Sequence, residues 1–183
     1  AMLFGLVGSE MCRRDRIYGE RRYTWAESYA RMRRLASALT GAGLGIGDTV
    51  SVIAANTPEM FEAHFGVPMA GCVLNTINTR LEAETISYIL ENSDCRVLIV
   101  DTAFAPAVVP ALESLPADVR KNIRVVDIRD AAMGDLAPVG DEDYESFIGA
   151  GDPDYDWQMP ADEWQALAPV SYTHLRAHET EQH

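Results

Sequence analysis

Four acidic residues towards the C-terminal end have the spacing most suggestive of chemistry. Asp152, Asp154, Asp156 and Glu163 fall at the first, third, fifth and twelfth positions of a calcium loop, where oxygen ligands surround the ion. The residues between them oppose that role. Trp157 replaces the glycine that turns such a loop sharply, and Pro153 and Pro160 interrupt it, so a solvated acidic loop is expected. Gly41, Gly43, Gly45 and Gly47 in GAGLGIGD could let a backbone approach a pyrophosphate at a helix N-terminus. The order is reversed, however: a helical pattern precedes the glycines, an apolar strand follows them, and Ile46 occupies the third glycine position. A helix C-cap and turn is the expectation.

The remaining candidates are single residues. His64 falls among Met60, Phe61 and Phe65, and no serine or cysteine nucleophile can be tied to it, so a packed or hydrogen-bonded ring is expected rather than a base. Asp101 closes the run RVLIVD, where an acid can hold a ribose hydroxyl or cap the next helix; both roles stay open. Cys72 and Cys95 each flank an apolar run and form neither a zinc spacing nor a disulfide framework, which reads as buried free thiols in a reducing compartment, the cytoplasm. Arg31, Arg33 and Arg34 read as a solvated helix face. No catalytic, cofactor-binding or metal-binding residue is assigned from the sequence.

The elements that would position these residues alternate regularly. Thr24 and Glu27 make a capping box ahead of a helix with Tyr29, Met32, Leu35, Ala36 and Leu39 inward, ending at Gly41. Val50 to Ala55 is an apolar strand, and Thr57, Pro58 and Glu59 start a helix that Pro68 should end or kink. Val73 to Ile77 is the next strand, and Thr79 with Glu82 predicts a capping box for a helix with Ile86, Ile89 and Leu90 inward. Arg96 to Val100 is the clearest buried strand. A helix through Val108, Val109 and Leu112 follows, bent or started late by Pro106 and Pro110, and then a strand from Ile123 to Ile128. Such apolar strands separated by helices predict an α/β fold of three layers, built from βαβ repeats around a mostly parallel sheet. Beyond Asp130 an acidic, Gly- and Pro-punctuated excursion is expected, with one short helix at Tyr144 to Ile148.

Charge narrows the partners. A formal net charge of −13 argues against nucleic acid and against an anionic membrane face. No segment reaches the apolar length that spans a bilayer.

The flanks read differently from the interior. Val170 to Thr180, VSYTHLRAHET, resembles the translation of a transposon-library sequencing adapter, and LVGSEMCRRDR at Leu6 to Arg16 resembles its reverse complement, differing only at Arg13. Residues 1–16 and 169–183 are therefore expected to be adapter-derived, with 17–168 as a truncated subdomain. Leu3 to Val7 is too short for a signal peptide and lacks a basic n-region. Cys12, His174, His178 and His183 leave the inventory with the flanks.

Taken in order, RRYTWAESYARMRRLASAL, GDTVSVIAANTPEMFEAHFGVPMAGCVLNTINTRL, ISYILENSDCRVLIVD and GDPDYDWQMPADEW resemble the N-terminal part of AMP-forming acyl-CoA synthetases. Asn56 to Leu81 is the most specific block, and the likeness covers nearly all of Tyr18 to Ala168. It implies an adenylate-forming enzyme in which a fatty or related carboxylate attacks ATP to give an acyl-adenylate and pyrophosphate, and CoA then displaces AMP. The complete enzyme would use ATP, CoA and magnesium. The fragment is expected to bind none of them and to be inactive, because the family's phosphate loop would follow Ala168, where Pro169 stands. The carboxylate, ATP and CoA are the implied partners, and oligomerisation is left open. The cut sheet is expected to show unpaired edges and an uncovered apolar face. Two other classes remain: a non-catalytic oligomerisation or interaction module, and a simple nucleotide-binding module using Asp101 or the glycines.

Overall fold

A computed structural model describes residues 16–130, 133, 134 and 136–158. The expectations placed on Leu3 to Val7, Cys12, Pro160, Glu163, Pro169 and His174, His178 and His183 lie outside them.

A short antiparallel hairpin comes first, β1 (Arg16–Tyr18) with β2 (Arg21–Tyr23), turning through Gly19 at φ +57. The helix α1 (Trp25–Gly41) begins at the expected capping box, with Thr24 accepting from the Glu27 amide and Glu27 accepting from the Thr24 amide. Then follow β3 (Thr49–Ile53), α2 (Pro58–Met69), β4 (Val73–Thr76), α3 (Ala83–Asn92), β5 (Cys95–Asp101), a 3-10 turn, α4 (Ala105–Ser114), α5 (Ala117–Arg120) and β6 (Arg124–Ile128). The excursion returns as β7 (Glu142–Asp143) and α6 (Tyr144–Gly149). Five strands form one all-parallel sheet in the order β4-β3-β5-β6-β7.

Two helix starts differ from expectation. The α3 helix starts at Ala83 with Glu82 as its cap residue, not at Thr79. The Asn78 side chain accepts from the Arg80 amide at 2.9 Å, and its carbonyl accepts from the Leu81 amide at 3.2 Å. That local turn takes the bonds a cap at Thr79 would have used. Pro106 begins α4 without delaying it and Pro110 sits inside, while Pro68 is one residue from the end of α2.

The buried strands alternate faces, and both faces are covered. Val97 and Ile99 of β5 pack with Leu35 and Leu39 of α1, Ala63 and Val67 of α2 and Phe147 of α6. Leu98 and Val100 point the other way, into a cluster with Ile86 and Leu90 of α3 and Val108 and Leu112 of α4. The expected uncovered apolar face is absent among the described residues. Here α6 fills the space beside β6 that a further crossover helix would fill. The sheet margins are β4 and β7, and β7 consists of two acidic residues, which discourage edge pairing.

One buried acid fixes the excursion. Asp127, fully buried in β6, accepts from the amides of Val139 and Gly140 at 3.0 to 3.3 Å. A Cβ on Gly140 would lie 2.4 Å from the Val125 carbonyl oxygen, so only glycine allows that approach.

Candidate functional site

In a parallel sheet of this winding, β3 connects outward to β4 on one side, and the chain then crosses to β5 on the other. The carboxyl ends of β3 and β5 therefore splay apart, and such switch points are where open α/β sheets bind ligands. The residues gathered there are Glu59 at the start of α2, Asp101 at the end of β5, Asp130 just after β6, and Tyr18 and Arg21 from the hairpin.

Arg21 Nη1 donates to Glu59 Oε1 at 2.5 Å, and Tyr18 Oη donates to Asp130 Oδ2 at 2.5 Å. The guanidinium also lies 5.1 Å from the Tyr18 ring centroid. Glu59 is only 3% exposed, yet its Oε2, like Arg21 Nη2, has no hydrogen-bond partner among the described residues. The Tyr18 phenol is pushed up to about 12, chiefly by its bond to Asp130 and then by burial. Burial raises the Asp101 carboxyl, against the Ala103 amide that it caps at 3.0 Å. Asp101 thus spends one oxygen on capping the 3-10 turn. Arg21 is drawn to Glu59 and Asp130, and Asp101 feels both of those acids, an acidic gathering that suits a donor-rich or cationic group and opposes a triphosphate.

A second cluster lies one helical turn along α2. Arg31 Nε and Nη2 donate to both oxygens of Glu62 at 2.6 and 3.2 Å, and Nη1 and Nη2 donate to Glu145 at 2.8 and 2.6 Å. Tyr144 Oη donates to Glu62 Oε2 at 3.0 Å, and the guanidinium stacks 5.1 Å from the Tyr23 ring. Burial pushes the Glu62 carboxyl up despite Arg31, whereas the Arg31 bond holds Glu145 down. The solvated arginine face expected at Arg31, Arg33 and Arg34 is overturned. Arg33 donates to the Tyr155 carbonyl at 2.9 Å, and Arg34 reaches the Gly151 carbonyl at 3.4 Å. The loop after α6 and the acids of α2 and α6 cover that side of α1.

The other candidates separate. Gly41 to Gly47 turn from α1 into β3, with Gly43 and Gly47 at φ +86 and +87. Asp154 pairs with Arg33 at 3.4 Å, and Asp152 accepts from the Asp154 amide at 2.8 Å, so the acidic loop is held by its neighbours. No group of three or more metal-binding side chains gathers among the described residues. His64 is exposed and bonds the Met60 carbonyl through Nδ1 at 2.7 Å; the packed face of α2 runs instead through Glu59, Glu62, Ala63, Gly66 and Val67. Cys72 and Cys95 are buried free thiols, pushed up by burial to about 12 and about 11. They stay protonated at neutral pH and are poor nucleophiles.

Sequence reading missed Glu59, Glu62, Tyr18 and Arg21. The available signal was Gly66, where a Cβ would meet Leu35 Cδ2 and the Met32 carbonyl at 2.8 Å. A glycine needed for contact between α1 and α2 marks the inner face and places both glutamates on it.

The pattern of the family described as "AMP-binding enzyme" matches residues 9–173. The chain belongs to the AMP-binding enzyme family. It is 41% identical over 169 residues to an acetate/butyrate–CoA ligase of Arabidopsis thaliana named as peroxisomal, covering 88% of this chain and 30% of that protein. An acetate–CoA ligase of Humulus lupulus is 40% identical over 86% of this chain and 29% of its own length. The structure of a benzoate CoA ligase from Burkholderia xenovorans superposes with TM-score 0.72 at 23% identity, over 87% of this chain and 30% of that one. That superposition shows the shared fold. This AMP-binding enzyme chain spans about 30% of the length of the relatives it matches.

Proposed function

We propose that the protein acts as an AMP-forming carboxylate–CoA ligase, activating a fatty or related aliphatic acid through an acyl-adenylate to a CoA thioester. The observation that carries this is the 41% identity over 169 residues to an acetate/butyrate–CoA ligase, a span that includes the Asn56 to Leu81 block. ATP, CoA and a carboxylate are the substrates on this reading.

Magnesium on the ATP phosphates belongs to the same reading, but the described residues do not fit a magnesium–triphosphate group. Asp101, Asp130 and Glu59 are each engaged with an amide, a phenol or a guanidinium, and their charge repels phosphate. Residues 1–183 alone are accordingly read as inactive. A reducing aqueous compartment, the cytoplasm, completes the reading; no described helix is long and apolar enough to cross a membrane.

Carboxylate-dependent exchange of labelled pyrophosphate into ATP tests both parts. A counterpart spanning the relatives' full length should exchange with butanoate or octanoate, and this chain should not. Silence from the full-length protein with every aliphatic acid overturns the ligase reading, and exchange by this chain overturns its inactivity.

A further inference from the structure

On the face of the sheet opposite α1, the end of α4, the α5 turn and the returning excursion enclose an open groove of 570 Å³. Its floor is apolar, formed by Val109, Leu112, Leu115 and Val139, and Arg120 and Lys121 stand on its rim. The size falls within the range of small-molecule clefts, which combine an apolar lining with a few placed polar groups.

The charges on the rim, like Arg34 and Arg80, stand outside the ion pairs that hold half of the described cations. In a chain of net charge −13, Arg21, Arg31, Arg33, Arg96, Arg124 and Arg129 all sit within ion-pair distance of a carboxylate. Arg120 instead donates to the Ile123 carbonyl at 3.2 Å, and neither it nor Lys121 has a carboxylate within 4.0 Å among the described residues. Two adjacent cations left unpaired beside the exposed Val109 and half-buried Val139, with Leu112 and Leu115 buried beneath them, complement a ligand with one anionic head and an alkyl tail. Glu113, also on the groove, sets the direction. It repels an anion, so the head belongs at Arg120 and Lys121 and the tail along Val109 and Leu112.

We propose that this groove binds a medium-chain alkyl carboxylate, with Arg120 and Lys121 holding the carboxylate and Val109, Leu112, Leu115 and Val139 covering the chain. Binding there is independent of the ligase reading, because the groove shares no residue with the carboxyl-end cluster. Lengthening the acid should tighten binding by about fourfold for each CH₂ that reaches the floor.

The composition supplies a direct readout, since Lys121 is the single lysine in the sequence and the α-amino group is the other primary amine. The whole chain is acetylated with an N-hydroxysuccinimide ester, with and without octanoate, and each amine is quantified by peptide mass spectrometry. Octanoate should slow acetylation of Lys121 relative to the N-terminus, and butanoate at the same concentration should not. In calorimetric titration with octanoate, Lys121→Gln should weaken binding roughly threefold to fivefold. Val109→Asp should abolish it, and Glu113→Gln should strengthen it. Absence of protection, equal protection by butanoate, or unchanged binding in both Lys121→Gln and Val109→Asp would overturn the assignment.

Discussion

The two glutamates on the inner face of α2 are three residues apart and each meets an arginine, yet the surroundings complete one pair and not the other. At Glu62 the guanidinium of Arg31 is forked between two carboxylates, and Tyr144 takes the remaining oxygen position. At Glu59 one oxygen and one Arg21 nitrogen are left without partners among the described residues. The exposures follow the same split, 15% for the Arg31 side chain and 33% for Arg21. A buried ion pair repays its desolvation only when every remaining donor and acceptor is satisfied. The Arg31 cluster is a staple between α1, α2 and α6, whereas the Arg21 cluster, at the switch point, is left chemically open.

Removing the staple's cation should have the largest effect. Arg31→Met leaves Glu62 fully buried without a counter-charge and should cost about 3–5 kcal/mol in urea denaturation. Pairing it with Glu62→Leu should recover most of that loss, because an apolar pair of similar volume carries no desolvation penalty. A single-mutant loss under about 1 kcal/mol would mean that the cluster is not the staple described. Next comes Gly66→Ala, which forces a methyl into the 2.8 Å contact with Leu35 and Met32 and should cost about 1–3 kcal/mol.

At the open cluster the same type of substitution should matter less. Arg21→Met should cost about 1–2 kcal/mol, since a third of its side chain is already exposed and its bond network is incomplete. A loss equal to that of Arg31→Met would erase the distinction between the two sites.

How far these two sites were legible in the sequence follows from their physics. Strands β3 to β6 and the first helix are written in apolar runs and in a local capping box, Thr24 with Glu27, so they appear where expected, whereas the short β1, β2 and β7 carry no such run. The cluster partners are brought together across 112 positions, as for Tyr18 and Asp130, or 114, as for Arg31 and Glu145. No local period reports such a contact. Apolarity even misdirects within α2, where Met60, Phe61 and Phe65 suggest one face while glutamates and a glycine line the buried one. The Thr79 cap failed for a related reason: Asn78 offered the backbone a nearer acceptor. An uncovered face is the expectation from strand pattern alone, and α6 covers it with Tyr144, Phe147 and Ile148.

Proton linkage separates the clusters at opposite ends of the pH scale, with smaller effects. Glu145 is held below the usual carboxylate range by Arg31, so its contribution is complete above the unfolded value and is lost as pH falls through the folded one. Glu145→Gln should flatten the acid limb of the stability curve, an effect that its 55% exposure keeps small. The Tyr18 phenol runs the other way. Its folded value of about 12 lies above the ordinary 10, so between the two the folded chain keeps a proton that the unfolded chain has released. The contribution of Tyr18 is therefore full below pH 10 and is lost as pH rises towards 12. Tyr18→Phe should lessen the alkaline slope while leaving the acid limb untouched, and the buried Cys72, Cys95 and Tyr144, raised in the same direction, keep the remainder. An alkaline limb in Tyr18→Phe as steep as that of the unaltered chain would dissolve the link between the hairpin and Asp130.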